Sequence, residues 1–214
     1  MQFNLKRELP LIVIILLPYL YLGFIWGDLP QTVLTHWNGA GEIDGWSNKS
    51  TLLFLPLLTS VLTYVLFLII PYIDPKGQLK KMGSKYHSLK MFIVVLMTAI
   101  TLYILYSTKQ ESLSNPNTLY FLIGLLFAVL GNYFKTIKHN YFIGIRTPWT
   151  LESETVWKKT HQLGGKLFLI SGVVLILTSL LFSPQLNSTL VLVVTTVLVL
   201  TTVGYSYILF KQEQ

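Results

Sequence analysis

The 214-residue sequence contains no cysteine, which excludes disulfide staples, thiolate metal sites and thiol nucleophiles together. Charge is scarce as well. Only 12% of residues are Asp, Glu, Lys or Arg, about half of the roughly 25% usual in soluble domains. Arginine occurs twice, at Arg7 and Arg146, and histidine four times. What fills the chain instead is apolar, 52% of it, which places it in the membrane class before any motif is read. The net charge of +7 does not point to nucleic acid. The basic residues sit in short loops between apolar runs and build no continuous basic face, so no direct nucleic-acid contact is expected.

Six runs free of Asp, Glu, Lys, Arg and His cover residues 9–27, 51–73, 91–108, 118–134, 167–182 and 189–210. Their lengths suit the roughly 17–25 residues that cross a hydrocarbon core. In lipid the backbone finds no outside partners, so each run should be helical, even the β-branched stretch LVLVVTTVLVL. The first run follows Lys6 and Arg7 but is too long for a signal-peptide core and meets no small-residue cleavage site. It is expected to be retained. Pro10 falls in its first turn, where proline is tolerated, and Pro18 predicts a kink. Fourteen of the sixteen Lys and Arg lie in the loops and termini of one side, with Lys49 and Lys109 alone on the other. That asymmetry predicts both termini in the cytoplasm and the 28–50 loop outside. The expected fold is an all-α polytopic membrane protein with six transmembrane helices and a short interfacial helix between spans 4 and 5.

The outer loop, DLPQTVLTHWNGAGEIDGWSNKS, carries Gly39, Gly41 and Gly45 beside Asn38 and Asp44, all turn formers. Trp26, Trp37 and Trp46 suit a membrane interface, so the loop should be a compact cap on the bilayer. His36, Glu42 and Asp44 are metal-ligand types close in sequence. One histidine with two carboxylates at this spacing matches no zinc pattern, and no metal or other cofactor is expected.

Residues 131–165 form the longest polar interruption and hold two of the five tryptophans, two of the four histidines and Arg146. Gly131 and Asn132 read as the end of the fourth helix. Pro148 holds Thr147 extended, and Thr150 reads as the N-cap of a short helix carrying Glu152, Glu154, Trp157 and His161. Trp157 and His161, four apart, share one face of it. Arg146 stands between Gly144 and the fixed corner Thr147-Pro148-Trp149. Its guanidinium can fork onto a carboxylate or phosphate of a ligand; equally it can pair with Glu152 or Glu154, or touch lipid headgroups. His139 and His161 read as interfacial hydrogen-bonders. No nucleophile–base pair, phosphate-binding glycine loop or zinc-protease helix appears, so catalysis is not expected.

The run GN…NYFIGIRTPWTLESETVWKKTH resembles the signature of the SdpI family of bacterial membrane immunity proteins. The outer-loop run LPQTVLTHWNGAGEIDGWSNKS resembles the DUF1648 segment that commonly precedes it. The resemblance divides the chain into residues 9–73 and 91–210. It implies a multi-pass protein of the bacterial cytoplasmic membrane that protects against a hydrophobic, membrane-active peptide toxin. In some members it also implies signalling, by holding a transcriptional regulator at the membrane. The motif positions carried over are Gly131, Asn132, Asn140, Gly144, Arg146, Thr147, Pro148, Trp149, Thr150 and Trp157. His161, and His36, Asn38, Gly41, Asp44 and Trp46 of the outer loop, complete the candidate site. A small transporter or lipid-handling protein is the alternative. Against transport stands the expectation that no ionisable residue lies inside a span.

Overall fold

The computed structural model describes residues 4–38, 42–111 and 115–214. Six helices are long and apolar enough to cross a membrane: span 1 Leu5–Asp28, span 2 Lys49–Ile73, span 3 Ser84–Lys109, span 4 Asn117–Phe134, span 5 Glu154–Leu181 and span 6 Pro184–Glu213. The apolar runs thus mark the spans, and most helices extend beyond their runs into charged sequence. Backbone hydrogen bonding continues for as long as side chains can reach water or a partner. Span 1 stays helical through Pro10 and Pro18.

Span 2 is irregular where Pro56 withholds its N–H. A 3-10 segment at Lys49–Leu53 and a π turn at Leu57–Val61 precede the regular helix Leu62–Ile73. Hydroxyls compensate. Thr59 Oγ1 donates to the Leu55 carbonyl at 2.6 Å and lies 2.6 Å from Thr101 Oγ1 of span 3. Thr98 Oγ1 reaches Ser60 Oγ at 3.2 Å. These four side chains make a polar seam between spans 2 and 3, where a hydroxyl has no water to turn to.

Spans 4 and 5 pack backbone to backbone. A Cβ added at Gly124 would lie 2.9 Å from the Gly172 carbonyl, and one at Gly165 would lie 2.9 Å from the Gly131 carbonyl. At Gly131 and Gly172 it would collide with the backbone nitrogens of Leu169 and Ala128. Small residues at one helix-facing stripe permit this approach. Gly131 therefore does not end the fourth helix, which continues to Phe134. It is a close-approach residue instead.

The outer loop is a β-hairpin, which the all-helical reading did not foresee. β1, Thr32–Trp37, pairs antiparallel with β2, Ile43–Asn48, with bulges around His36. Val33 packs with Leu22, Ile25 and Leu29 of the first span and its exit, Leu52 and Leu105. Lys49 Nζ approaches the carbonyls of Trp26 and Leu29 at 3.4 Å, and Lys109 pairs with Asp28 at 3.0 Å. The hairpin thus caps spans 1 to 3.

A second correction concerns charge within the bundle. Glu8 of span 1 and Lys90 of span 3 are both buried, 6% and 4% exposed. Lys90 Nζ meets both carboxylate oxygens, at 2.6 and 2.7 Å. Tyr64 of span 2 donates to Glu8 at 3.2 Å, and His87 lies 3.8 Å away. Each of these charges sits just outside its apolar run, yet inside the helix that contains it. Ionisable residues therefore do lie within spanning helices, and their absence cannot count against transport.

Candidate functional site in the 131–165 segment

Asn140 organises the loop after span 4. It is fully buried, and all four of its hydrogen-bonding positions are used. Its Nδ2 donates to the carbonyls of Lys138 and Ile143, at 2.8 and 2.9 Å. Its Oδ1 accepts from the amides of Phe142 and Ile143, at 2.7 and 2.8 Å. The amide side chain replaces a backbone ladder in a turn that has none.

The chain then reverses at Gly144, whose φ of +126° lies where side chains are strained. A Cβ there would also be 3.1 Å from the Trp157 ring and would strike His161 Nε2. The next amide, Ile145 N–H, donates to His161 Nε2 at 2.9 Å, while His161 Nδ1 donates to the Trp157 carbonyl at 2.8 Å. The two bonds fix His161 as the neutral Nδ1–H tautomer. Trp157 stacks on it at 4.1 Å and donates from Nε1 to the Ile137 carbonyl at 2.9 Å. The expected shared face of Trp157 and His161 is present. It belongs to the start of span 5 itself.

Thr147, not Thr150, caps the short helix Pro148–Glu152. The two threonines form a reciprocal box: Thr150 N–H donates to Thr147 Oγ1 at 3.2 Å and Thr147 N–H to Thr150 Oγ1 at 2.9 Å. Sequence spacing favoured Thr150 because the acids follow it, but Pro148 at the first helical position moves the start upstream. Ser153 ends the short helix and caps span 5 through Val156 N–H at 3.2 Å. The corner is clamped to span 6 by Thr147 Oγ1 to Ser206 Oγ at 3.0 Å and by Trp149 against Tyr207 with ring centres 5.0 Å apart.

Arg146 is exposed, and its Nη1 donates to the Tyr141 carbonyl at 2.8 Å. Among the described residues it forms no ion pair with Glu152 or Glu154. Beneath the loop is an open cavity of about 560 Å³ lined by Lys85, Lys135, Lys138, Lys158, Glu154 and Trp157, among others. His139 lies on its wall, bonded through Nε2 to the Leu151 carbonyl at 2.8 Å, with Lys76 Nζ 3.0 Å from Nδ1. Lys76 and Lys85, from beyond the segment, were not among the sequence candidates. Their loop position gave no signal that they would fold under it. Asn132 is exposed beside a separate cleft with Lys135, Gln162 and Lys166.

The outer-loop candidates are not brought to this site. The hairpin lies at the far end of span 3, against Leu105, whereas the motif segment adjoins the beginning of span 3 at Lys85. There His36 contacts Asp44, Asn38 Nδ2 donates to Glu42 at 2.9 Å, and Trp46 is 59% exposed. Gly41 lies outside the described residues.

Among the described residues, six spans, a hairpin between spans 1 and 2 and a pinned polar corner between spans 4 and 5 define a helical multi-pass membrane protein with two specialised loops. Residues 136–208 match the SdpI/YfhL protein family, and residues 13–59 match a domain of unknown function, DUF1648. The chain thus carries a segment similar to each, the DUF1648-like one on the N-terminal side of the SdpI/YfhL-like one. It is 27% identical to "Immunity protein SdpI" of Bacillus subtilis (strain 168) over 97% of this chain and 98% of that protein. No solved structure matches it.

Proposed function

We propose that this chain is a membrane immunity protein. It protects the bacterium that makes it from a hydrophobic, membrane-active peptide, and performs no chemistry of its own. The observation that carries the reading is the end-to-end similarity to a protein named for immunity. The test is survival. A Bacillus subtilis strain deleted for its own SdpI, expressing this chain, is co-cultured with its parent and, separately, challenged with a producer from this chain's source. Protection in either arm supports the reading, and death in both at normal membrane abundance removes it.

The protein is placed in the cytoplasmic membrane with its motif segment inside. The 14:2 distribution of Lys and Arg supports this orientation. A cysteine introduced at Glu42 should react with an impermeant maleimide on intact cells, and one at Glu152 only after lysis. Both are exposed and the chain has no native cysteine to compete. Labelling of Glu152→Cys on intact cells would invert the arrangement.

Arg146 is assigned a recognition role within this reading. One nitrogen anchors it to Tyr141, and a planar anionic group can meet the rest of the guanidinium. Arg146→Lys keeps the charge but not the fork. It should lower the tolerated toxin dose about tenfold, on the order of 1.4 kcal/mol of lost recognition, at unchanged abundance. Full protection by the lysine variant removes Arg146 from the recognition surface. The exposed lysines of the same face, Lys80, Lys81, Lys135, Lys138, Lys158 and Lys159, support the signalling role that the family resemblance implies, since they can hold an acidic regulator at the membrane. Fractionation checks this: a regulator that stays soluble when the chain is present and toxin is added would exclude it.

A further inference from the structure

The outer end of the bundle holds a cavity that the motif segment does not touch. About 480 Å³ lie between β1 and spans 2, 3 and 4, with Leu34, Trp37, Leu58, Ile104 and Ile123 among its mostly apolar walls. We propose that this groove binds an extended, apolar peptide segment with a cationic flank, which adds to β1 as a third strand. The inference rests on the immunity reading and names the place where the peptide is met.

The backbone makes the first argument. β1 pairs with β2 on one side only. On the other side Leu34 turns its carbonyl out of the ladder and accepts from Thr108 Oγ1 at 3.3 Å. Asn38 N–H is committed within the hairpin, to the Glu42 carbonyl at 2.9 Å. Strand alternation from Asn38 then directs the amide and carbonyl of Trp37 away from β2. Span 3 covers this edge at Leu34, so an added strand would meet β1 at its end, at Trp37. An added strand also places every second side chain on one face, here into the apolar cavity.

The second argument is an orphan donor. Trp37 Nε1 is buried and meets no acceptor among the described residues, although its ring forms part of the groove wall. A buried indole N–H normally has a partner. A rotation of the half-buried ring offers it to a carbonyl of the incoming strand.

The third is charge. Glu42 and Asp44 stand exposed beside Asn38 and His36 on the groove rim. The loops of this side carry Asp28, Glu42, Asp44 and Glu111 against Lys49 and Lys109. It is the acidic end of a protein with net charge +7. A cationic segment is drawn to this end and repelled from the other. A lipid chain fits the apolar wall too, but it has no backbone groups for the edge of β1, and an anionic headgroup is repelled by the rim.

The test uses cells in which the wild-type chain gives protection. Ile123→Trp fills the groove, and the pair Glu42→Gln with Asp44→Asn discharges the rim without touching the core. Each is expected to lower the tolerated dose at least tenfold with membrane abundance unchanged. A benzophenone amino acid at Leu58 should form an adduct with the peptide, and one at Leu180, 68% exposed on the bilayer-facing side of span 5, should not. Full protection by both altered chains, or adducts at Leu58 with lipid alone, overturns the groove. A wild-type chain that protects against nothing overturns the immunity reading instead, and this inference with it.

Discussion

Glu8→Leu, with Lys90 left in place, should cost most of the folded protein. The variant strands an ammonium that is 4% exposed, with the face of the Tyr64 ring 5.6 Å from it. Removing one partner of a buried pair typically costs about 3–5 kcal/mol, a large share of the roughly 5–15 kcal/mol that holds a domain together. The double variant Glu8→Leu/Lys90→Met removes both charges and should regain most of the loss, because the isolated ion is what costs free energy. Thermal unfolding in detergent and membrane yield measure both. A single variant as stable as the wild type would mean that water reaches Lys90 freely.

The second large effect is expected at Gly172. Leucine there must force Ala128 and its backbone out of contact, so spans 4 and 5 have to separate along their whole glycine stripe. Overpacking of a side chain into a core costs roughly 1–3 kcal/mol when neighbours can yield. Here the neighbour is main chain, which cannot turn aside as a side chain can, and the loss should exceed that range. Gly204→Leu in span 6 is the control, since nothing lies within 4 Å of the Cβ it would add. The expected result is near-complete loss of Gly172→Leu from the membrane and normal accumulation of Gly204→Leu. Equal accumulation of the two would show that the stripe tolerates separation.

The spans were legible because lipid leaves one solution, a helix, for each long apolar run. Their ends were not. Span 5 begins at Glu154, well before its apolar run at Leu167, because Ser153 caps it, Trp157 donates to the Ile137 carbonyl and His161 accepts from the Ile145 amide of the loop. Pairing across the fold was likewise invisible. Glu8 and Lys90 are 82 residues apart, and neither gives a local sign of the other. The hairpin was missed for a different reason. Its glycines and Asn38 announced turns, but TVLTHW is short and its alternation is broken at the bulge. In the motif segment the spacing of Trp157 and His161 announced a shared face, while Gly144 read as part of the corner before Arg146. Their joint task, holding the Ile145 amide against span 5, required coordinates. Of the partners read for Arg146, the internal pair with Glu152 or Glu154 is not formed among the described residues, and its Nη1 donates to the Tyr141 carbonyl instead.

Span 4 has 18 residues and span 6 has 30. At 1.5 Å per residue they measure about 27 and about 45 Å, against a hydrocarbon layer of roughly 30 Å. The short helix must stand nearly upright and draw the two leaflets together beside it, while its long neighbour leans or projects beyond them. A bilayer around this protein is therefore expected to thin on the flank of span 4 and to be overspanned beside span 6. A membrane thickened by long-chain lipids should strain that flank first.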